Sequence, residues 1–170
     1  EIGYELGGLL PNEPYFKTNP DCFSFKQGSR QPYKHYGPQL CYSNMQGADK
    51  AAENALAKLD QDLTPAIRKV HFGFGDTWDL CTCEKCMAPI KLADGTDIKY
   101  GDEAHRSTQY YIYLNRIAEK IHAKYPNLEI NTLGYLYAAI PPKIKLHPAI
   151  TVTFCPYVKN DKVPVTDPCN

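Results

Sequence analysis

The run Cys81-Thr82-Cys83-Glu84-Lys85-Cys86 places three thiols within six residues. Three thiols so spaced can converge on one tetrahedral ion, and a fourth ligand would close the site. Cys41, expected at the end of a strand beside the one leading into Asp76, is the first choice for that ligand, and His105 is the second. A closed four-thiolate site would hold structural zinc rather than a catalytic metal. The same four cysteines can equally form two disulfides, as an oxidising compartment favours. The chain carries seven cysteines, an odd number that forbids complete internal pairing. Cys22 and Cys169, near the two ends, pair with each other or stay free.

The second candidate chemistry is that of carboxylates. Asp76 and Asp79 flank Trp78 directly after the apolar run Val70–Gly75. Glycoside hydrolysis usually needs two carboxyl groups, one to protonate the leaving oxygen and one as base or nucleophile. Two Asp three residues apart in a loop can both face a pocket, although either can also serve a turn or a helix cap. Trp78 can stack on a sugar ring or fill a gap in the core. Asp102-Glu103 precedes a helix, where acidic residues complement the helix dipole, and that ordinary role is the favoured one. His71 lies inside a strand and reads as a satisfied core histidine, while His122 and His147 read as surface or loop positions.

These groups must be positioned by regular elements. Ala52, Leu56, Leu59 and Leu63 form one stripe and predict a helix over 48–63. Tyr110, Leu114, Ile117 and Ile121 predict a second over 106–124, which Pro126 follows. Strands are predicted at Ile2–Leu6, Gln39–Tyr42, Val70–Gly75, Leu128–Leu136 and Ala149–Cys155, and Ser43-Asn44 can start a helix. Residues 76–104, which hold the thiols, form a loop long enough to suggest a function or a metal tie. Strands alternating with helices imply an α/β fold with parallel pairing. A barrel segment and an open doubly wound sheet both fit the order, and no glycine-rich phosphate loop follows a strand. In either architecture ligands bind at the carboxyl ends of the strands. That rule selects Cys41, Ser43 and Asn44, then Asp76, Trp78 and Asp79, then Tyr135 and Tyr137, then Cys155 and Tyr157.

Length and charge set further limits. With 170 residues the chain can bury one core, yet a whole eight-unit barrel usually takes about 250 residues. The absence of an initiator Met and the end just after Asp167-Pro168 point to a processed or partial chain, hence one domain that belongs to a larger barrel. Open sheet edges would then be covered by the rest of a longer polypeptide or by another chain. Nineteen basic residues balance nineteen acidic ones, which argues against nucleic-acid or membrane-surface binding. No apolar run approaches the roughly 20 residues that span a bilayer.

Several segments together resemble the family catalogued as domain of unknown function 4838. They are Asn19-Pro20-Asp21-Cys22-Phe23-Ser24-Phe25, Gln39-Leu40-Cys41-Tyr42-Ser43-Asn44, and Gly75-Asp76 followed by Cys81, Cys83 and Cys86. Tyr113-Leu114-Asn115-Arg116-Ile117-Ala118-Glu119, Tyr125-Pro126, Gly134-Tyr135 and Pro141-Pro142 continue the register, so the likeness runs from about Tyr15 to Val158. Gly75 before Asp76, and Trp78-Asp79-Leu80 in place of a more glycine-rich link, depart from the pattern. The resemblance implies a hexosaminidase-like (β/α)-barrel of TIM type in a secreted, periplasmic or cell-surface bacterial protein of polysaccharide breakdown. It marks Asp76, Asn115 and Tyr135 as recurrent positions. The function expected is glycoside hydrolysis of a complex or uronic-acid-containing glycan, with Asp76 and Asp79 as acid/base groups. Trp78, Asn115, Tyr135, Tyr137 and Tyr157 would contact substrate. The alternatives are a non-catalytic carbohydrate-binding barrel module and a zinc- or thiol-centred structural domain.

Overall fold

The computed structural model describes residues 1–156 and 162. Four strands form one all-parallel sheet: β1 (Ile2–Glu5), β2 (Lys69–Gly73), β3 (Glu129–Gly134) and β4 (Ile150–Phe154). Their spatial order is their chain order, β1-β2-β3-β4. The α/β expectation is met in this form, and among the described residues β1 and β4 are edge strands. No helix among the described residues is long and apolar enough to cross a membrane.

Two long helices, α1 (Met45–Asp62) and α2 (His105–Lys124), supply the crossovers from β1 to β2 and from β2 to β3. The Asn44 side chain caps α1 by accepting the Gly47 N–H at 3.1 Å, as the Ser43-Asn44 start signal implies. The α1 stripe needs correction. Its buried face consists of Ala48, Ala51, Ala52, Ala55 and Leu59, whereas Leu56 and Leu63 lie half-buried at its flank. Small alanines let the helix axis come close to α2, where a row of leucines would hold it off. The α2 stripe of Tyr110, Leu114, Ile117 and Ile121 is fully buried, as predicted.

Strand alternation sorts the sheet into two faces. Val70, Phe72, Ile130, Thr132 and Ile150 are buried on the face that joins the helices in one core. Tyr110 reaches Thr132 Oγ1 at 2.6 Å, and that hydroxyl donates to the Phe72 carbonyl, so these two buried hydroxyls are paired. The opposite face is polar. Lys69 pairs with Glu129 at 2.9 Å, Thr151 donates to Glu129 at 2.7 Å, and half-buried His71 meets Asn131 at 3.0 Å. His71 is thus a satisfied histidine, as expected, but it lies on the polar face and not in the core.

The predicted strand at Gln39–Tyr42 is not in the sheet. Leu40 makes a single antiparallel bridge to Phe23, and the chain continues to Cys41, whose N–H donates to Cys22 O at 2.9 Å. An apolar tetrapeptide supplied a strand-like pattern, but β1 already occupies the place beside β2.

The connection from β3 to β4 contains one 3₁₀ turn, Leu136–Ala138, rather than an α-helix. It is tied to α2 by side chains. Thr108 Oγ1 accepts the Lys143 N–H at 3.0 Å, and Asn115 donates to Lys145 O at 3.0 Å while accepting the His147 N–H at 2.9 Å. Each net hydrogen bond is worth about 1 kcal/mol. Asn115→Ala should therefore lower unfolding stability by about 1–2 kcal/mol with the helical signal intact; urea denaturation followed by circular dichroism measures it.

Candidate functional site

At the carboxyl end of β2 the chain passes through Phe74 and Gly75 to Asp76. The Gly75 N–H donates to Gln39 Oε1 at 2.9 Å. Gln39 is fully buried; its amide nitrogen donates to the Lys34 and Gly37 carbonyls, and its backbone N–H donates to Asp79 O at 3.1 Å. One buried amide thus pins the strand end, the 34–38 loop and the turn at Asp79. A side chain on Gly75 would collide with the His35 carbonyl and the Gln39 amide, so the residue that departs from the family pattern is demanded here by close packing.

Beyond Gly75 the backbone folds tightly. Thr77 N–H donates to Gly75 O, Asp79 N–H to Thr77 Oγ1, and Leu80 N–H to Trp78 O. These turns throw the Trp78 indole outward, 64% exposed, with its edge toward Tyr137 at 6.5 Å. Asp76 is exposed, and Tyr135, just beyond the end of β3, donates its hydroxyl to Asp76 Oδ1 at 3.0 Å. Leu136, the next residue, has φ of 47°, a left-handed conformation that few non-glycine residues adopt. Asp76, Trp78 and Tyr135 therefore gather at the strand ends, as the α/β rule requires.

The remaining candidates separate. Asp79 forms an ion pair with Lys26 at 2.7 Å, so it shares no partner with Asp76. Tyr137 is only 2% exposed and cannot serve as a stacking platform. It packs among Tyr42, Phe74 and Tyr110 and shares a 2.9 Å hydroxyl contact with Tyr42. Asn115 lies along α2 with its amide engaged by the 145–147 backbone, away from the strand ends. Tyr157 and Cys169 lie outside the described residues. Asp102 accepts the Lys99 N–H at 2.7 Å and closes a turn before α2; it lies outside the first turn of that helix, so a turn role replaces the helix-dipole role expected for it.

Sequence reasoning passed over Glu5. It ends β1, pairs in register with Gly73, accepts a hydrogen bond from the Tyr33 hydroxyl, and contacts His35 Nδ1 at 2.7 Å. Its position at a strand end was the available signal.

The second constellation is the sulfur cluster. Cys41, Cys81, Cys83 and Cys86 bring their Sγ atoms within 4.8 Å of one another. Cys41 lies 3.7 Å from Cys83 and 3.6 Å from Cys86. Tetrahedral zinc with Zn–S of about 2.3 Å separates its sulfurs by about 3.8 Å, whereas a disulfide needs about 2.05 Å. None of Cys22, Cys41, Cys81, Cys83, Cys86 and Cys155 is joined in a disulfide. Cys83 precedes a single helical turn, Glu84–Met87, which folds Cys86 back onto the cluster. The surroundings suit anionic sulfur: Phe25 N–H donates to Cys81 Sγ at 3.2 Å, and Arg30 approaches the same sulfur at 3.9 Å. Hydrogen bonds from Cys81 and Cys86 drive the Cys41 thiol strongly down, and in return Cys81 is pushed up to about 11. His105 is not a ligand: it is fully buried, with Nε2 on the Ala88 carbonyl at 2.9 Å.

A family model described as "Domain of unknown function (DUF4838)" matches residues 5–170. The chain belongs to this family. No curated protein and no solved structure matches it. Within this DUF4838 chain, Asp76 and Tyr135 meet through a hydrogen bond, and Asn115 buttresses the β3–β4 connection. Gln39 is the unforeseen organiser of the site, because nothing local marks a glutamine for burial.

Overfilling a packed interior typically costs about 1–3 kcal/mol. Gly75→Ala should cost at least that much, since backbone as well as side chain must move. Thermal unfolding against Gly8→Ala, at a position with open space around it, supplies the control.

Proposed function

We propose that this chain is the carbohydrate-handling part of a (β/α)-barrel protein, a glycoside hydrolase acting on a complex or uronic-acid-containing polysaccharide. The observation that carries the reading is Asp76, oriented by the Tyr135 hydroxyl beside the exposed Trp78 at the ends of parallel strands. An exposed indole offers a flat apolar face to a sugar ring, and a carboxyl group next to it can exchange a proton with a glycosidic oxygen. Parallel strands in unbroken chain order suit a barrel segment, and the polar face of the sheet would line its interior. The setting is a secreted, periplasmic or cell-surface bacterial protein; fractionation of the native host tests that.

Pairing of Asp79 with Lys26 leaves a single unneutralised carboxylate in the 76–79 turn, and this favours a second reading, a non-catalytic glycan-binding module. One experiment separates the two. Reducing-sugar release is screened on plant, algal and host polysaccharides, and retention on the same glycans is measured by affinity electrophoresis. An enzyme should lose at least about 100-fold in rate with Asp76→Asn, in line with the loss of an acid/base group. A binding module should release no sugar, keep its retention with Asp76→Asn and lose it with Trp78→Ala. Neither release nor retention on any glycan removes both readings.

The four thiolates fit one structural zinc ion. Cys41, Cys81, Cys83 and Cys86 would hold it and leave no open coordination position, so its contribution is to folding rather than chemistry. It would clamp the 76–104 segment to the 22–43 segment. Metal analysis of the purified chain should return one zinc per chain, falling to near zero in Cys86→Ser. A thiol titration of the denatured, unreduced chain that finds four fewer thiols than cysteines would establish two disulfides instead.

A further inference from the structure

Glycoside hydrolysis needs a second carboxyl group; Asp79 is held by the lysine cation of Lys26, whereas Glu5 meets a histidine ring and a tyrosine hydroxyl, both on one of its two oxygens. Building on the hydrolase reading, we infer that Glu5 is the second carboxylate of the strand-end site and works with Asp76 on one glycosidic bond.

Placement comes first. Glu5 is the last residue of β1 and stands beside Gly73, the last residue of β2. Both lie on the polar face of the sheet, away from the helices, because Tyr4 and Phe72 face the core. Gly73 carries no side chain, and the group nearest to where one would begin is the ring of His71, 3.5 Å away. No side chain from the paired position on β2 therefore stands beside Glu5. The Glu5 side chain is 36% exposed, enough to be reached by a ligand.

Orientation comes second. The Tyr33 hydroxyl donates to Glu5, and His35 Nδ1 lies 2.7 Å from the same oxygen. Burial and the adjacent carboxylate raise Tyr33 far above the ordinary tyrosine range, so the hydroxyl keeps its proton and remains a donor. The Tyr33 ring occupies the space that a side chain on Gly7 would need, which locks it in place.

The link to Asp76 comes third. His35 contacts Glu5 through its ring, while its carbonyl packs against Gly75, the residue immediately before Asp76. One residue thereby touches both the Glu5 carboxylate and the backbone that leads into Asp76.

The chemistry balances. Asp76, entering protonated, gives its proton to the glycosidic oxygen as the bond from the anomeric carbon to that oxygen breaks. Ionised Glu5 takes a proton from a water whose oxygen bonds to the anomeric carbon. One water is consumed, one sugar and one alcohol leave, and proton exchange with solvent resets both groups.

The test uses the full 170-residue chain on whichever glycan it hydrolyses. Glu5→Gln keeps shape and removes the base, and should lower kcat by about 100-fold or more with KM changed only a few-fold. Glu5→Ala should recover turnover when formate is added, a rescue that a purely structural role would not produce. Hydrolysis undiminished in Glu5→Gln but lost in Asp76→Asn overturns the assignment of Glu5 and leaves the hydrolase reading standing. A folded Glu5→Ala that is inactive and unmoved by formate overturns it as well. No hydrolysis of any glycan by the unsubstituted chain overturns the hydrolase reading, and this assignment falls with it.

Discussion

A small parallel sheet can present chemistry only if something holds irregular chain against its strand ends. Here that constraint falls on two buried points: the amide of Gln39 and the four sulfurs of Cys41, Cys81, Cys83 and Cys86. Between them run the 34–38 loop, the turns that carry Asp76 and Trp78, and the segment that reaches α2. Irregular backbone lacks a ladder to satisfy its polar groups, so side-chain amides and thiols must do so. The arrangement explains why so many of the chain's polar contacts join residues far apart in sequence.

The two faces of the sheet divide the labour. The helix face is a continuous core in which Tyr42, Tyr110, Tyr113 and Tyr137 pack edge to face with Phe74 nearby. Such aromatic pairs add roughly 0.5–1.5 kcal/mol each beyond simple burial. The polar face carries Glu5, His71 and Asn131, and the Lys69–Glu129 pair. Ionisable groups concentrated on one sheet face, with glycines between them, leave room for a polar ligand or for further chain.

Much of this was legible in advance. The α2 stripe, all four sheet strands, the cap at Asn44 and the Cys81, Cys83 and Cys86 part of the sulfur cluster follow from local pattern; Cys41 joins them, but from a segment outside the sheet and not from the strand end that was expected to bring it there. Hydrophobic periodicity and ligand spacing act within one element, so they survive without knowledge of its neighbours. The strand-end rule also brought Asp76, Trp78 and Tyr135 forward correctly as neighbours. It failed for Tyr137, whose hydroxyl finds a partner inside the core at Tyr42, so that a residue chosen as a surface platform is buried. Leu56 and Leu63 were misjudged because four alanines, weakly hydrophobic in a sequence, make the closer face against α2.

From its sequence alone this chain was determined to be an α/β domain with parallel strands, a thiol cluster of ligand-like spacing and an acidic turn at a strand end. Only the tertiary structure decided that Gln39 is the buried pin, that Asp79 is neutralised by Lys26, that Asn115 props a loop, and that Glu5 meets His35 and Tyr33. Each of these contacts joins residues about 30 or more positions apart, and no local pattern records which distant partners a polar side chain will find. That choice is made by packing, when burial leaves each donor and acceptor only the partners that folding has brought within reach.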